Sequence, residues 1–130
     1  MAKRNAHYVD GFVLVVPKKK LREYKAMAAL GGKVWKKYGA LDYKECVGDD
    51  MHPSMGGMSM LSFPKMAKCK PDEVVVFSYI VYKSRAHRDS VNKKVMKDPI
   101  MNDPKYKDQP MPFDMKRMAY GGFNIIVDAS

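Results

Sequence analysis

Asp10 and Glu45 are carboxylates inside otherwise apolar stretches, and chemistry is to be sought there first. In YVDGFVLVV, strand alternation puts Asp10 on one face with Tyr8, Phe12 and Leu14. A carboxylate so placed is desolvated, which raises its pKa towards general acid/base use. The plainer alternative is a strand-edge aspartate paired with a lysine or arginine. Glu45 repeats the pattern in ALDYKECV, sharing a face with Leu41, Tyr43 and Val47. On an edge strand it could instead reach water or a basic residue of a second subunit. His87 lies three residues after Ser84, a good helix cap, and on the side of Val91 and Val95. The positive end of that helix, with Arg85 and Arg88 alongside, favours a neutral imidazole able to accept a proton. Packing between helix and sheet is its bland reading. Asp10, Glu45 and His87 are therefore the candidate catalytic groups.

Arg117 precedes a last strand that contains Tyr120 and the pair Gly121-Gly122. Glycines inside a strand mark close approach of backbone or ligand, and Arg117 could clamp a carboxylate or phosphate. An ion pair with Asp114 explains it equally well. With Tyr8, Tyr43, Phe77, Tyr79 and Tyr120, Arg117 completes the candidate ligand-binding set. No GxGxxG, P-loop, HExxH or nucleophile-elbow motif occurs, so no cofactor is expected and an enzymatic role stays open.

One stretch invites a metal. DDMHPSMGGMSMLSFPKMAKC, residues 49–69, holds five of the twelve methionines, a histidine and one of two cysteines. Thioether and thiolate ligands suit Cu(I). The spacing is irregular, however, Gly56-Gly57 would leave ligands poorly organised, and methionine is plentiful elsewhere. No metal site is expected. An adaptable apolar flap, laid over the domain or over a partner subunit, accounts for the segment.

The elements that must position these residues follow from periodicity. Residues 7–16 form a strand that Pro17 ends, and 18–38 carry Leu21, Tyr24, Ala28, Gly31, Trp35 and Tyr38 as one helical stripe. Gly31-Gly32 weaken that helix and point to close packing, and Gly39 ends it. Strands follow at 40–47 and 74–82, separated by the long Met-rich loop at 49–72. A helix at 86–97 and a strand at 117–127 complete the order βαββαβ. That order gives an α+β, ferredoxin-like domain with an antiparallel sheet and both helices on one face. With 130 residues and no internal linker, residues 1–130 make one domain. The other sheet face is expected to carry Tyr8, Phe12, Leu14, Tyr43, Phe77, Tyr79 and Tyr120. So large an apolar face predicts a homodimer closing sheet to sheet.

The blocks YVDGFV at 8–13, GALDYKECVGDD at 39–50, VYKSRAHRD at 81–89 and PFDMKRMAYGGF at 112–123 resemble the YbaA-like family of uncharacterised bacterial proteins. The resemblance runs from about Tyr8 to Val127. It implies a dimeric α/β-barrel but does not imply an activity, the family being a domain of unknown function. The Met-rich stretch departs from the family pattern, which keeps mainly a motif like Ser62-Phe63-Pro64.

The formal net charge of +10 would attract nucleic acid or acidic lipid, but the lysines are dispersed as they are on solvated helix faces. RNA binding through that surface has no motif behind it, and dimer burial would consume the aromatics an RNA-binding sheet needs. No apolar run reaches the length of a membrane span and no signal peptide is visible, so a cytoplasmic protein is expected. The leading function is a homodimer binding a small anionic or aromatic molecule between sheet and helices. RNA binding and a ligand-free structural dimer are the alternatives.

Overall fold

The computed structural model describes residues 5–129. Four strands, β1 (Tyr8–Pro17), β2 (Asp42–Val47), β3 (Glu73–Tyr82) and β4 (Ala119–Asn124), form one sheet in the order β2-β3-β1-β4. Every neighbouring pair is antiparallel. Two long helices, α1 (Leu21–Lys37) and α2 (Arg85–Met96), make the two crossovers. This is the expected α+β ferredoxin-like arrangement. β1 and β3, the central strands, are the most apolar in the chain, while β2 and β4 bear the exposed edges.

The register settles which side chains share a face. Tyr8 pairs with Tyr82, Asp10 with Ile80, Phe12 with Ser78, and Leu14 with Val76. Tyr43 lies opposite Ile80, and Tyr120 opposite Phe12. All of these sit beneath the helices, where Tyr8, Ile80 and Tyr82 meet Val34 of α1 and Val91 and Val95 of α2 in one core cluster. A second cluster joins Leu14, Val16 and Val76 to Tyr24 and Ala28. The expectation that Tyr8, Phe12, Leu14, Tyr43 and Tyr120 occupy the open face is thus corrected. Strand alternation groups them together, but only the register with β3 tells which group meets the helices. Phe77 does belong to the open face, with Val9, Val13 and Phe123.

Local chemistry explains the joints. The hydroxyl of Ser84 accepts the His87 amide at 3.0 Å and starts α2. Gly39, at φ +110°, ends α1 where a side chain would be strained. Beyond α2, buried Asp98 accepts the Tyr38 hydroxyl at 2.7 Å, the Lys37 ammonium at 3.0 Å and the Ile100 amide at 2.9 Å. That carboxylate ties the ends of the two helices together, and the Tyr38 bond leads in holding its pKa low.

The long 49–72 connection is only partly structured. Ser62 caps a single helical turn, Phe63–Met66, by accepting the Lys65 amide at 3.2 Å. Met51 packs on Gly48. Met55, Met58 and Met60 stay 52–64% exposed, so within one chain they do not fold over the domain as expected. Among the described residues no three His, Cys, Asp or Glu side chains gather as a metal would require. No helix among them is long and apolar enough to cross a membrane.

Glu73 and Arg117 clasp the end of the sheet through two bonds of 2.7 Å. Hydrogen bonding from Arg117 lowers the Glu73 pKa from its ordinary 4.5 to about 2. A carboxylate with a depressed folded pKa contributes stability that is complete above about pH 4.5 and fades as pH falls towards 2. Glu73→Gln is expected to destabilise the domain at neutral pH by roughly 2 kcal/mol. It should also flatten the acid dependence of the urea midpoint between those two pH values.

Candidate functional site

A cleft of about 430 Å³ opens between the helix-facing side of the sheet and the two long helices. Its floor is Asp10, Phe12 and Leu14 from β1, Ser78 and Ile80 from β3, and Tyr120 from β4. Tyr24, Met27 and Trp35 of α1 and Asn92 and Met96 of α2 form its walls, and Tyr43 and Glu45 of β2 stand at the sheet edge. Met111, Phe113 and Met118 close the side nearest the last strand. The lining is largely aromatic and thioether, with a few polar groups aimed inward. That is the usual make-up of a small-molecule site.

Asp10 is the deepest of those polar groups, at 1% exposure. Its Oδ1 accepts Arg88 Nη1 at 2.7 Å and its Oδ2 accepts the Tyr120 hydroxyl at 3.2 Å. The same Arg88 nitrogen donates to the Tyr120 oxygen at 2.9 Å, so acid, base and phenol form a closed triangle. Arg88 also donates to Asp89 at 2.8 Å and lies 5.2 Å over the Tyr8 ring. Tyr8 leans on Gly122, where an added Cβ would lie 2.1 Å from its hydroxyl. Tyr120 stacks on Phe12 with ring centres 4.7 Å apart. Burial pushes the Asp10 carboxyl above the ordinary carboxylate range, with Arg88 and the Tyr120 hydroxyl pulling the other way.

Glu45 is organised differently. Its two oxygens accept the hydroxyls of Tyr24, at 2.7 Å, and Tyr43, at 3.0 Å, the single Tyr43 proton being shared with the Ala28 carbonyl at 3.1 Å. Burial, then the neighbouring carboxylate, pushes both phenols well up, so both remain donors. The Tyr43 ring reaches this position because Gly31 and Gly32 have no side chains: a Cβ on Gly32 would lie 3.0 Å from it. The glycine pair therefore admits a cross-strand ring to the helix surface. On the opposite wall Asn92 accepts Trp35 Nε1 at 3.1 Å and the Tyr82 hydroxyl at 3.4 Å. Both bonds arrive at its oxygen, which leaves the amino group for the cleft.

Of the nine candidate residues, Asp10, Glu45, Tyr43, Tyr79 and Tyr120 border this cleft. Tyr79 does so only from the strand beneath, since its register with Gly11 and Lys44 puts its ring on the open face, 6.1 Å from that of Phe77. Tyr8 supports the Arg88 network from behind. Phe77 is on the open face and is 44% exposed. His87 stands apart from the cleft. Its Nδ1 accepts the Lys83 amide at 2.9 Å, its ring meets Tyr82 edge-on at 5.9 Å, and desolvation, then Lys83 and Lys94, lowers its pKa. The neutral imidazole expected there thus closes a helix turn. Arg117 is likewise occupied, by Glu73, Asp114 at 3.1 Å and the Lys68 carbonyl at 3.0 Å.

Sequence reasoning missed Arg88, Tyr24, Trp35 and Asn92 as site residues. A signal for Arg88 existed, since 88, 91 and 95 keep the three-four spacing of a helix stripe, while 87, 91 and 95 drift. A buried carboxylate on the sheet beneath that stripe calls for a cation on it.

Removing Arg88 while Asp10 stays charged is expected to cost about 3–5 kcal/mol, measured by chemical denaturation of Arg88→Met. Asp89→Asn, which removes only an exposed partner, should cost less than about 0.5 kcal/mol. Asp10→Asn combined with Arg88→Met should recover part of the larger loss.

The chain resembles a protein of the same architecture. It is matched by the crystal structure of a dimeric ferredoxin-like protein from an uncultured marine organism, with a TM-score of 0.55 and 12% sequence identity over 95% of this chain and 99% of that one. That likeness carries the fold. Nearer relatives are the uncharacterized protein YbaA of Escherichia coli K12 and that of Shigella flexneri. Each is 43% identical over 121 residues, which is 93% of this chain and 97% of the relative. The model of the DUF1428 family, described as a protein of unknown function, matches residues 7–115. The chain belongs to this DUF1428, YbaA-like family.

Proposed function

We propose that the protein is a homodimer whose subunits each bind a small, flat, mainly apolar molecule in the cleft between sheet and helices. The observation that carries this reading is the cleft itself, in which rings and thioethers enclose a few polar groups held in place by hydrogen bonds. Tyr120 is the polar group placed to meet the ligand. It takes a bond from Arg88, gives one to Asp10, and remains half exposed. Through it Asp10 can exchange a proton with a bound molecule without leaving its partners.

Self-association is supported by the open sheet face. Phe77 and Phe123 are 44% and 60% exposed there, beside Val9 and Val13, and Ile126 and Val127 beyond β4 are more exposed still. Within the strands Lys44 is the only cation directed to that side, although the chain carries 24 lysines and arginines. Two strongly positive subunits can approach most readily through such a face. The solved ferredoxin-like relative is dimeric, by its own description.

Sedimentation velocity should give a dimer that Phe77→Lys combined with Phe123→Lys converts to a folded monomer. A thermal-shift screen of aromatic fragments should yield stabilising compounds whose effect is lost in Trp35→Ala and kept in His87→Gln. Fragments that stabilise the Trp35 variant equally would remove the cleft from the account.

A further inference from the structure

The charge inside the cleft has a sign, and that sign narrows the ligand. Asp10 is neutralised by Arg88 at 2.7 Å. Glu45 is not: its partners are two neutral phenols, and among the described residues no lysine or arginine forms an ion pair with it. Lys44 lies on the edge strand at the mouth of the cleft, but its side chain is directed to the open face and its ammonium lies on Asp42 at 2.5 Å. Among the described residues Arg88 is the guanidinium bonded at the cleft floor, and it is committed to Asp10, Tyr120, Asp89 and Tyr8. An anionic ligand would therefore meet a carboxylate with no uncommitted cation to receive it.

Glu45 is exposed at the sheet edge, and four rings border the cleft that it borders. Tyr24 and Phe113 meet edge to face at 5.8 Å, and Trp35 and Tyr43 lie 6.3 Å apart, all four bordering the same cleft. Aromatic faces attract cations through the ring quadrupole, most strongly where water is excluded. Resting on the cleft reading above, we propose that the cleft selects an organic cation: an ammonium head against Glu45 within the Tyr24, Trp35, Tyr43 and Phe113 rings, and an apolar body along the methionine-lined side. Met27, Met96, Met111 and Met118 give that side a soft surface suited to more than one flat body. The overall charge of +10 does not forbid this, since exposed charges are screened over about 8 Å at physiological ionic strength.

Calorimetric titration of the full chain with benzyltrimethylammonium, benzyl alcohol and benzoate tests the proposal. The ammonium should bind roughly tenfold more tightly than the alcohol, and benzoate more weakly than either. Glu45→Gln should weaken the ammonium about tenfold and change the alcohol less than about twofold. Alcohol or benzoate binding as tightly as the ammonium would overturn the cation selectivity while leaving a binding cleft in place. An ammonium affinity indifferent to Glu45→Gln would do the same. Silence from all three probes would overturn the cleft reading as well. A second measurement needs no variant: nuclear Overhauser contacts from the N-methyl groups should reach the Trp35 and Tyr43 rings. Contacts confined to Phe77 and Phe123 would place the cation on the wrong face and refute the proposal.

Discussion

The buried ion pair between Asp10 and Arg88 is the constraint on which the helix-facing half of the structure depends. A carboxylate at 1% exposure in an apolar sheet is tolerated only with a partner that also satisfies its remaining lone pairs. Arg88 can be that partner only from the first turn of α2, so the pair sets where the helix begins over the sheet. Tyr120 completes the satisfaction of Asp10 from the edge strand β4. Three elements far apart in sequence are thereby held in one mutual position. Val91 and Val95 then fall onto Ile80 and Tyr82 as a consequence of that placement. Replacing the pair by apolar residues could be neutral for stability, so its value lies in specifying one arrangement.

The cleft survives between the two helices because polar side chains hold its walls apart at fixed points. Asp98 joins the helix ends, Trp35 and Asn92 join their middles, and Glu45 is braced by phenols from a helix and a strand. Had those positions been aliphatic, the hydrophobic effect would favour collapse of the space. Instead each wall carries a bond that closure would break, and where the group is buried, as Asp98 is, leaving it unpaired is costly. Void and hydrogen-bond network are therefore one design.

The architecture was legible in the sequence because it is written in local patterns. β3 is a β-branched and aromatic run interrupted only by Ser78 after its opening Glu73, Ser84 caps α2 as its position suggests, and Gly39 stops α1. Asp10 and Glu45 were legible as carboxylates out of place. What was not legible depends on register. Alternation told that Tyr8, Asp10 and Phe12 share a face, but not that the helices lie on it, and that inverted the assignment of the open face. His87 and Arg88 are one residue apart, and which of them turns inward depends on about 100° of helix rotation. Arg117 was matched with Asp114 nearby, while its main partner Glu73 lies across the chain at the start of β3. The tyrosine brace on Glu45 had no signal, since its members come from separate elements.

The glycine pair in α1 has a consequence for how such a chain can change over generations. Residue 32 and residue 43 occupy one volume between them, because a Cβ at the first would press on the ring at the second. An alanine at 32 needs the ring at 43 to give by a few tenths of an ångström, and so arrives most easily in a lineage that already has a smaller residue at 43. A smaller residue at 43 takes away one of the two phenols that hold Glu45. Two glycines without any polar atom of their own therefore inherit the constraint of the acidic group, and ancestry at the helix is bound to ancestry at the cleft.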